Sequence, residues 1–267
     1  MAIDHYENFP VGSLLLPPRY RAPVGLIYRF ARTADDFADE GSDAPGARLA
    51  KLAAYQSQVA AIGHGITPAD PLFRDIAHIV REHHLPLQLF RDLLDAFAQD
   101  VQKGRYADFP EVLDYCRRSA NPVGRLLLHL FGRATPDNLA ASDSICSALQ
   151  LVNFWQDVEI DYAKGRIYLP QDEMERYGVT ERHIAERRCD DAWRALIGHQ
   201  IDRARAMLET GAPLGRALPG RVGLEIRATV QGGLRILQKL ERARGDMFRQ
   251  RPLLKWFDWP LLVARSL

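Results

Sequence analysis

The chain has 267 residues, 47% of them hydrophobic, and its 35 basic and 34 acidic side chains leave a net charge of +1. That composition supports a sizeable core, and the charge balance, with no dense basic run, excludes a nucleic-acid binder. The three cysteines, Cys116, Cys146 and Cys189, lack metal-type spacing, so a reducing cytoplasm is the expected setting. The start MAIDHYENFP is polar rather than leader-like, and no apolar run reaches ~18 residues, so no membrane-spanning helix is expected.

In chain order the periodicity predicts helix almost throughout. Residues 23–40 open after Pro23 and close before Gly41. Residues 46–62 are rich in Ala and Leu with a period near 3.6. Residues 70–83 follow Pro68 with Asp70 as N-cap, and 86–102 start at Pro86. Residues 109–132 are a long apolar pattern in which Asn121-Pro122-Val123-Gly124 predicts a kink. Helices are expected over 137–162, 190–210 and 220–248, the last two separated by the turn-rich GAPLGRALPG. No paired strand pattern occurs. The expectation is an all-α chain forming one domain over 1–267, without internal repeats.

Two helices carry unusual acidic faces. Gln150, Asn153, Asp157 and Asp161 are spaced three, four and four apart, which puts them on one helical face. Tyr28, Arg32, Asp35 and Asp39 repeat the arrangement, with Asp36 beside them. Like charges at i, i+4 cost roughly 0.2–0.5 kcal/mol each on an exposed helix. Both pairs are set among apolar residues such as Phe30, Phe37, Phe154 and Trp155, and few basic residues stand one turn away. Solvated charged faces are commoner in general, but burial and duplication favour a site. Oxygen ligands without a Cys or His cluster point to a hard cation, Mg²⁺, which characteristically binds one or two carboxylates together with substrate phosphates. Arg32 and Arg166, the latter in the loop KGRIYLPQD with Tyr168, are candidate anion contacts. The phosphate-loop and dinucleotide glycine patterns are both absent, which argues against an ATPase, a kinase or a nicotinamide-dependent enzyme. A helical bundle with facing acidic pairs and an apolar interior suits a long hydrocarbon diphosphate.

Several stretches resemble the squalene/phytoene synthases: HYENFPVGSLLLP, YRFARTADDFADE, YCRRSANPVG, QLVNFWQDVEIDYAKGRIYLP and GGLRILQKLERA. The resemblance covers most of the chain and implies an all-helical isoprenoid-synthase bundle around a central apolar cavity. By the same resemblance, Asp35, Asp39, Asn153, Asp157 and Asp161 are Mg²⁺ ligands. His5, Asn8, Tyr28, Arg32 and Gln150 line the diphosphate site, and Arg166 and Tyr168 match the arginine and tyrosine that follow the second acidic motif.

Two departures bear on the reaction. Members that couple two prenyl diphosphates usually carry Arg where this chain has Gln156, and Tyr where it has Arg117. With ENFPVGSLLLP, ARTADDFADEG and CRRSANPVGR, these departures resemble the hopanoid-pathway branch that acts on presqualene diphosphate. The resemblance implies ionisation of that diphosphate with Mg²⁺ and capture of the cation by water to give hydroxysqualene, with Gln156 and Arg117 at the reacting centre. Head-to-head coupling to squalene or phytoene is the competing reading, and the intact acidic motifs argue against a non-catalytic helical partner. Coupling to neighbouring pathway enzymes would follow from the same pathway. Arg249 and Arg251 read as solvated. The aromatic segment 253–267, LLKWFDWPLLVARSL, reads either as a helix packed on the body or as a peripheral membrane contact.

Overall fold

The computed structural model describes residues 16–249 and 251–266. The order is α1 (Pro18–Asp39), α2 (Pro45–Gly63), α3 (Pro71–His83), α4 (Leu87–Gln102), α5 (Phe109–Ser119), α6 (Asn121–Leu130) and α7 (Pro136–Gln156). There follow α8 (Val158–Ala163), α9 (Gln171–Arg176), α10 (Glu181–Ala185), α11 (Asp191–Gly211), α12 (Leu214–Ala217) and α13 (Gly220–Arg242). A 3₁₀ turn (Trp256–Asp258) and α14 (Trp259–Ser266) complete the order. Among the described residues the extended pairing consists of one bridge, Arg105 with Ile167. The all-α expectation holds.

The helix starts follow local chemistry. Proline occupies the first turn of α1, α2, α3 and α7, where its missing N–H would have had no helical partner. Asp70 caps α3 as expected, accepting from the Leu72 and Phe73 N–H groups. Asp108, Thr135 and Asp190 cap α5, α7 and α11 in the same way. The predicted kink is a full break at Ala120, after which Pro122 sits in the first turn of α6. Some boundaries differ: the helix expected over 220–248 ends at Arg242, the one expected over 137–162 is divided at Asp157, and α1 begins at Pro18 with Pro23 inside it. An interior proline removes a backbone bond, but Pro23 and Val24 are buried, and that packing keeps the turn helical.

Two apolar clusters form the core. One centres on α1 to α4 with Leu126 and Leu130 of α6. The other centres on α5, α7, α11 and α13. Helices α6 and α7 approach closely because residue 124 is glycine: a Cβ there would collide with Ser142 Oγ and Cys146 Sγ. A cavity of about 450 Å³ lies between the clusters, with walls from both, including Ile27, Phe97, Leu128 and Ile145. Its size is within the range of small-molecule sites. No helix among the described residues is long and apolar enough to cross a membrane.

Candidate functional site

Polar residues gather on part of the cavity lining. Tyr28, Arg32 and Asp35 come from α1, Gln150 and Asn153 from α7, Asp157 from the joint after α7, and Arg251 from the segment after α13. His5 and Asn8 lie outside the described residues.

The second acidic face survives a break in its helix. Asp157 leaves helical geometry (φ −108°, ψ 13°) and separates α7 from α8. The bonds from Asp157 N–H to Asn153 O (2.9 Å) and from Asp161 N–H to Asp157 O (2.8 Å) nevertheless keep the i, i+4 register across the joint. The turn after α8 is then set by Gly165, in the left-handed region at φ 81°. Gly165 N–H donates to Tyr162 O (2.9 Å) and Arg166 N–H to Asp161 O (2.8 Å), a Schellman closure that folds Arg166 back beside the acidic face. Arg105 fastens this turn from outside, donating to Gly165 O (2.7 Å) while ion-paired with Glu181 (2.6 Å).

Arg166 is buried and links both acidic helices. It donates to Asp39 (2.5 Å), lies 3.8 Å from Asp100, and donates to the Tyr168 hydroxyl (3.3 Å). Lys164 adds a second contact to Asp39 (3.0 Å). Asp100, near the end of α4, accepts from Tyr115 (2.6 Å) and Tyr168 (3.1 Å). The Tyr168 ring stacks flat on Phe154, with centroids 3.7 Å apart. Asp39 therefore does not line the cavity, and Asp161 borders a small separate void with Arg166 and Tyr168.

The electrostatics divide the carboxylates into two groups. Burial pushes Asp35 up to about 7, aided by the charge of Asp39. Burial likewise pushes Asp161 up to about 7, aided by Asp157, and Asp100 up to about 6. For Asp39 burial acts in the same direction, but Arg166 and Lys164 outweigh it and hold the carboxyl below its ordinary value. Asp157 is paired with Arg251, whose Nη2 lies 2.8 Å from it and whose Nε makes a second contact.

Among the described residues no three Asp, Glu, His or Cys side chains converge into a metal cage. The donor set is nevertheless all oxygen, as a hard cation requires. Burial beside other carboxylates holds Asp35 and Asp161 near neutral pKa values, and the nearby cations, Arg32 for Asp35 and Arg166 with Lys164 for Asp161, do not bring them back to the ordinary value. These residues fit a divalent ion. The sign of the pH dependence follows. Between the ordinary aspartate value of 3.8 and about 7, the metal-free folded state binds more protons than the unfolded chain. The stability of the metal-free protein should fall as pH rises through that window and level off above it. Mg²⁺ should raise the melting temperature more at pH 8 than at pH 6, and equal shifts in melts against a chelator control would count against this site.

Two residues expected at the reacting centre stand off the cavity lining. Arg117 does not line the cavity. Two residues beyond Tyr115, it lies about 200° round the helix, and its exposed side chain pairs with Asp114 at 2.8 Å. Arg117→Ala should keep kcat/KM within about threefold of the parent, since exposed pairs contribute little; steady-state kinetics checks this. Gln156 does not line the cavity either. One residue before Asp157, it is buried and donates to Pro252 O at 2.5 Å. It thereby holds the segment that carries Arg251. Sequence reasoning missed Arg251, read as solvated, along with Asp100 and the Tyr115 hydroxyl. Their partners lie 94 and 15 residues away in the chain. Trp155 is fully buried core.

Fold and site together define an all-helical enzyme with an apolar cavity whose wall carries cationic and acidic side chains. The profile of one family, squalene/phytoene synthase, matches residues 3–258, and the chain belongs to that family. A hydroxysqualene synthase of Rhodopseudomonas palustris is 35% identical over 88% of this chain and 80% of its own length. A phytoene synthase of Mycobacterium bovis is 33% identical over 78% of this chain and 68% of its own. The crystal structure of squalene synthase HpnC from Alicyclobacillus acidocaldarius superposes with a TM-score of 0.83 at 36% identity, covering 90% of each chain.

Proposed function

We propose that this enzyme converts presqualene diphosphate and water to hydroxysqualene and diphosphate, acting as one unit over 1–267. The observation that carries the reading is the lining of the cavity: apolar walls such as Leu127, Leu214 and Ile226 share one space with Arg32, Asp35, Gln150, Asp157 and Arg251. That arrangement suits a long hydrocarbon bearing one strongly anionic head group. The relatives carry different reaction names, so the water-capturing chemistry rests on the hydroxysqualene synthase relatives and on the sequence departures described above.

Asp35, Asp39, Asn153, Asp157 and Asp161 would hold Mg²⁺, which when bound supplies Lewis-acid stabilisation to the diphosphate oxygens. Arg32 and Arg251 on the lining would contact the same oxygens, Arg166 would steady Asp39 behind them, and Tyr28 and Gln150 would orient the head group. The carbon–oxygen bond to diphosphate breaks with its electron pair leaving on oxygen, and the cyclopropylcarbinyl cation rearranges within the apolar wall. Water adds to the cation and loses a proton to complete the hydroxyl. Ser119, Ser142 and Thr229 place hydroxyls along the lining and provide positions for that water; Ser119 Oγ has no hydrogen-bond partner among the described residues. Electrostatic stabilisation of the leaving group is the main catalytic contribution.

The test is product analysis with pure protein and Mg²⁺. Presqualene diphosphate in heavy-oxygen water should give labelled hydroxysqualene, and farnesyl diphosphate alone should give nothing. Presqualene diphosphate, squalene or phytoene formed from a prenyl diphosphate would instead establish head-to-head coupling.

A further inference from the structure

We propose that the C-terminal segment, residues 253–266, docks the enzyme peripherally on the surface of an anionic lipid bilayer. Six large apolar side chains are exposed among the described residues, and four of them, Trp256, Phe257, Trp259 and Val263, fall within eight positions of this segment. Trp256 is 83% exposed, Phe257 52% and Trp259 55%. Tryptophan at a surface is the residue type most suited to the boundary between head groups and acyl chains.

The patch is held in place rather than loosely appended. Asp258, buried at its base, is ion-paired with Arg235 (2.7 Å) and Lys239 (2.5 Å) of α13 and accepts from the Lys255 N–H (2.7 Å). These partners hold its carboxyl down at about 2. At the far end Arg227 donates to Ser266 O (2.5 Å), and Leu262 packs inward. One side of the segment therefore packs on the body, and the other presents its aromatics to solvent.

Charge selects the occupant. Asp258 is the sole acid between residues 251 and 266, and it is buried and neutralised. Lys255 and Arg265 are exposed beside the aromatics, so the outward face is apolar and positive. Two copies meeting symmetrically through this face would bring like charges together, whereas anionic head groups complement them. No helix among the described residues is able to span, and the proposed contact is interfacial. Helix α13, which anchors the segment through Arg227, Arg235 and Lys239, also contributes Ile226 and Thr229 to the cavity lining. One helix thus separates the docking face from the cavity, a short path for a lipid-soluble ligand.

Flotation of the full chain with two kinds of vesicle tests the proposal: phosphatidylcholine alone, and phosphatidylcholine with phosphatidylglycerol as about a third of the lipid. The parent should float with the mixed vesicles, and binding should weaken as salt is raised. Trp256→Ala/Trp259→Ala and Lys255→Glu/Arg265→Glu should each lower the bound fraction about tenfold. Both pairs are exposed, so melting temperature and turnover of detergent-dispersed substrate should match the parent. The proposal is overturned if the parent stays behind at low salt, if the variants float as well as the parent, or if neutral vesicles bind equally well. A concentration-dependent dimer abolished by the tryptophan pair, in a chain that ignores both vesicles, would also overturn it and assign the face to a second copy.

Discussion

Asp157→Asn should lower kcat/KM by about 10²–10³-fold while leaving the fold intact, the magnitude found when one preorganised electrostatic contact to developing charge is removed. Asparagine keeps the size of the side chain and leaves the backbone bonds through the α7–α8 joint in place. What it removes is one negative charge from the cavity wall, at the point where Arg251 and the second acidic face meet. Stability should change by no more than about 1 kcal/mol, because the Asp157–Arg251 pair is partly exposed and such pairs contribute little. The half-saturating Mg²⁺ concentration should rise, which separates loss of a ligand from loss of shape. Arg251→Ala should weaken substrate binding with a smaller effect on Mg²⁺ dependence. A loss under tenfold in Asp157→Asn, with unchanged Mg²⁺ dependence, would mean that the second acidic face is not the head-group site.

Why Arg251 was invisible in the sequence, and Asp157 was not, is a matter of range. Gln150, Asn153, Asp157 and Asp161 are related by helical periodicity alone, and the periodicity survives the break because the backbone bonds bridge it. Nothing in NFWQDVEID, which has no proline or glycine, announces that break. Arg251 reaches Asp157 through a segment fastened by Gln156 and Pro252, a tertiary contact that no local pattern encodes. The start of α3 was legible for the opposite reason: Asp70 acts on neighbouring backbone groups. Pro23 marks the limit of that logic, since local preference would exclude it from a helix and burial keeps it there.

Gln156 and Arg117 show a related limit. The family resemblance marked both as departures from coupling members and implied a place at the reacting centre. On a helix, one or two residues is the wrong interval for sharing a face. Any influence of Gln156 on product would pass through the placement of Arg251, which it steadies by holding Pro252. An arginine at 156 would bring a charge to a buried position whose present partner is a carbonyl. Gln156→Arg is therefore a test of segment position as much as of the reaction.

Arg166→Leu should be the most destabilising single change at the site, costing about 3–5 kcal/mol, the usual result of stranding a buried charge. In a chain of this size that corresponds to a fall in melting temperature of about 5–10 °C. The reason is the number of groups that depend on one guanidinium. Asp39 loses the principal cation holding its carboxyl down. Asp100, already pushed up by burial, loses the same counter-charge. Tyr168 loses a donor in the network that orients its ring on Phe154. The pH dependence gives the signature. In the parent, Asp39 contributes stability that is present above the ordinary carboxylate value and is lost as pH falls below it. In the variant, Asp39 and Asp100 are buried without that cation and hold protons more tightly than in the unfolded chain. The contribution of Asp39 then reverses sign and the unfavourable one of Asp100 grows, so the deficit relative to the parent should be larger at pH 8 than at pH 5. Adding Asp100→Asn to Arg166→Leu should recover part of the loss by removing one stranded carboxylate. A deficit independent of pH, with no recovery in the double variant, would show that Arg166 acts through packing rather than as the shared counter-charge of the two acidic helices.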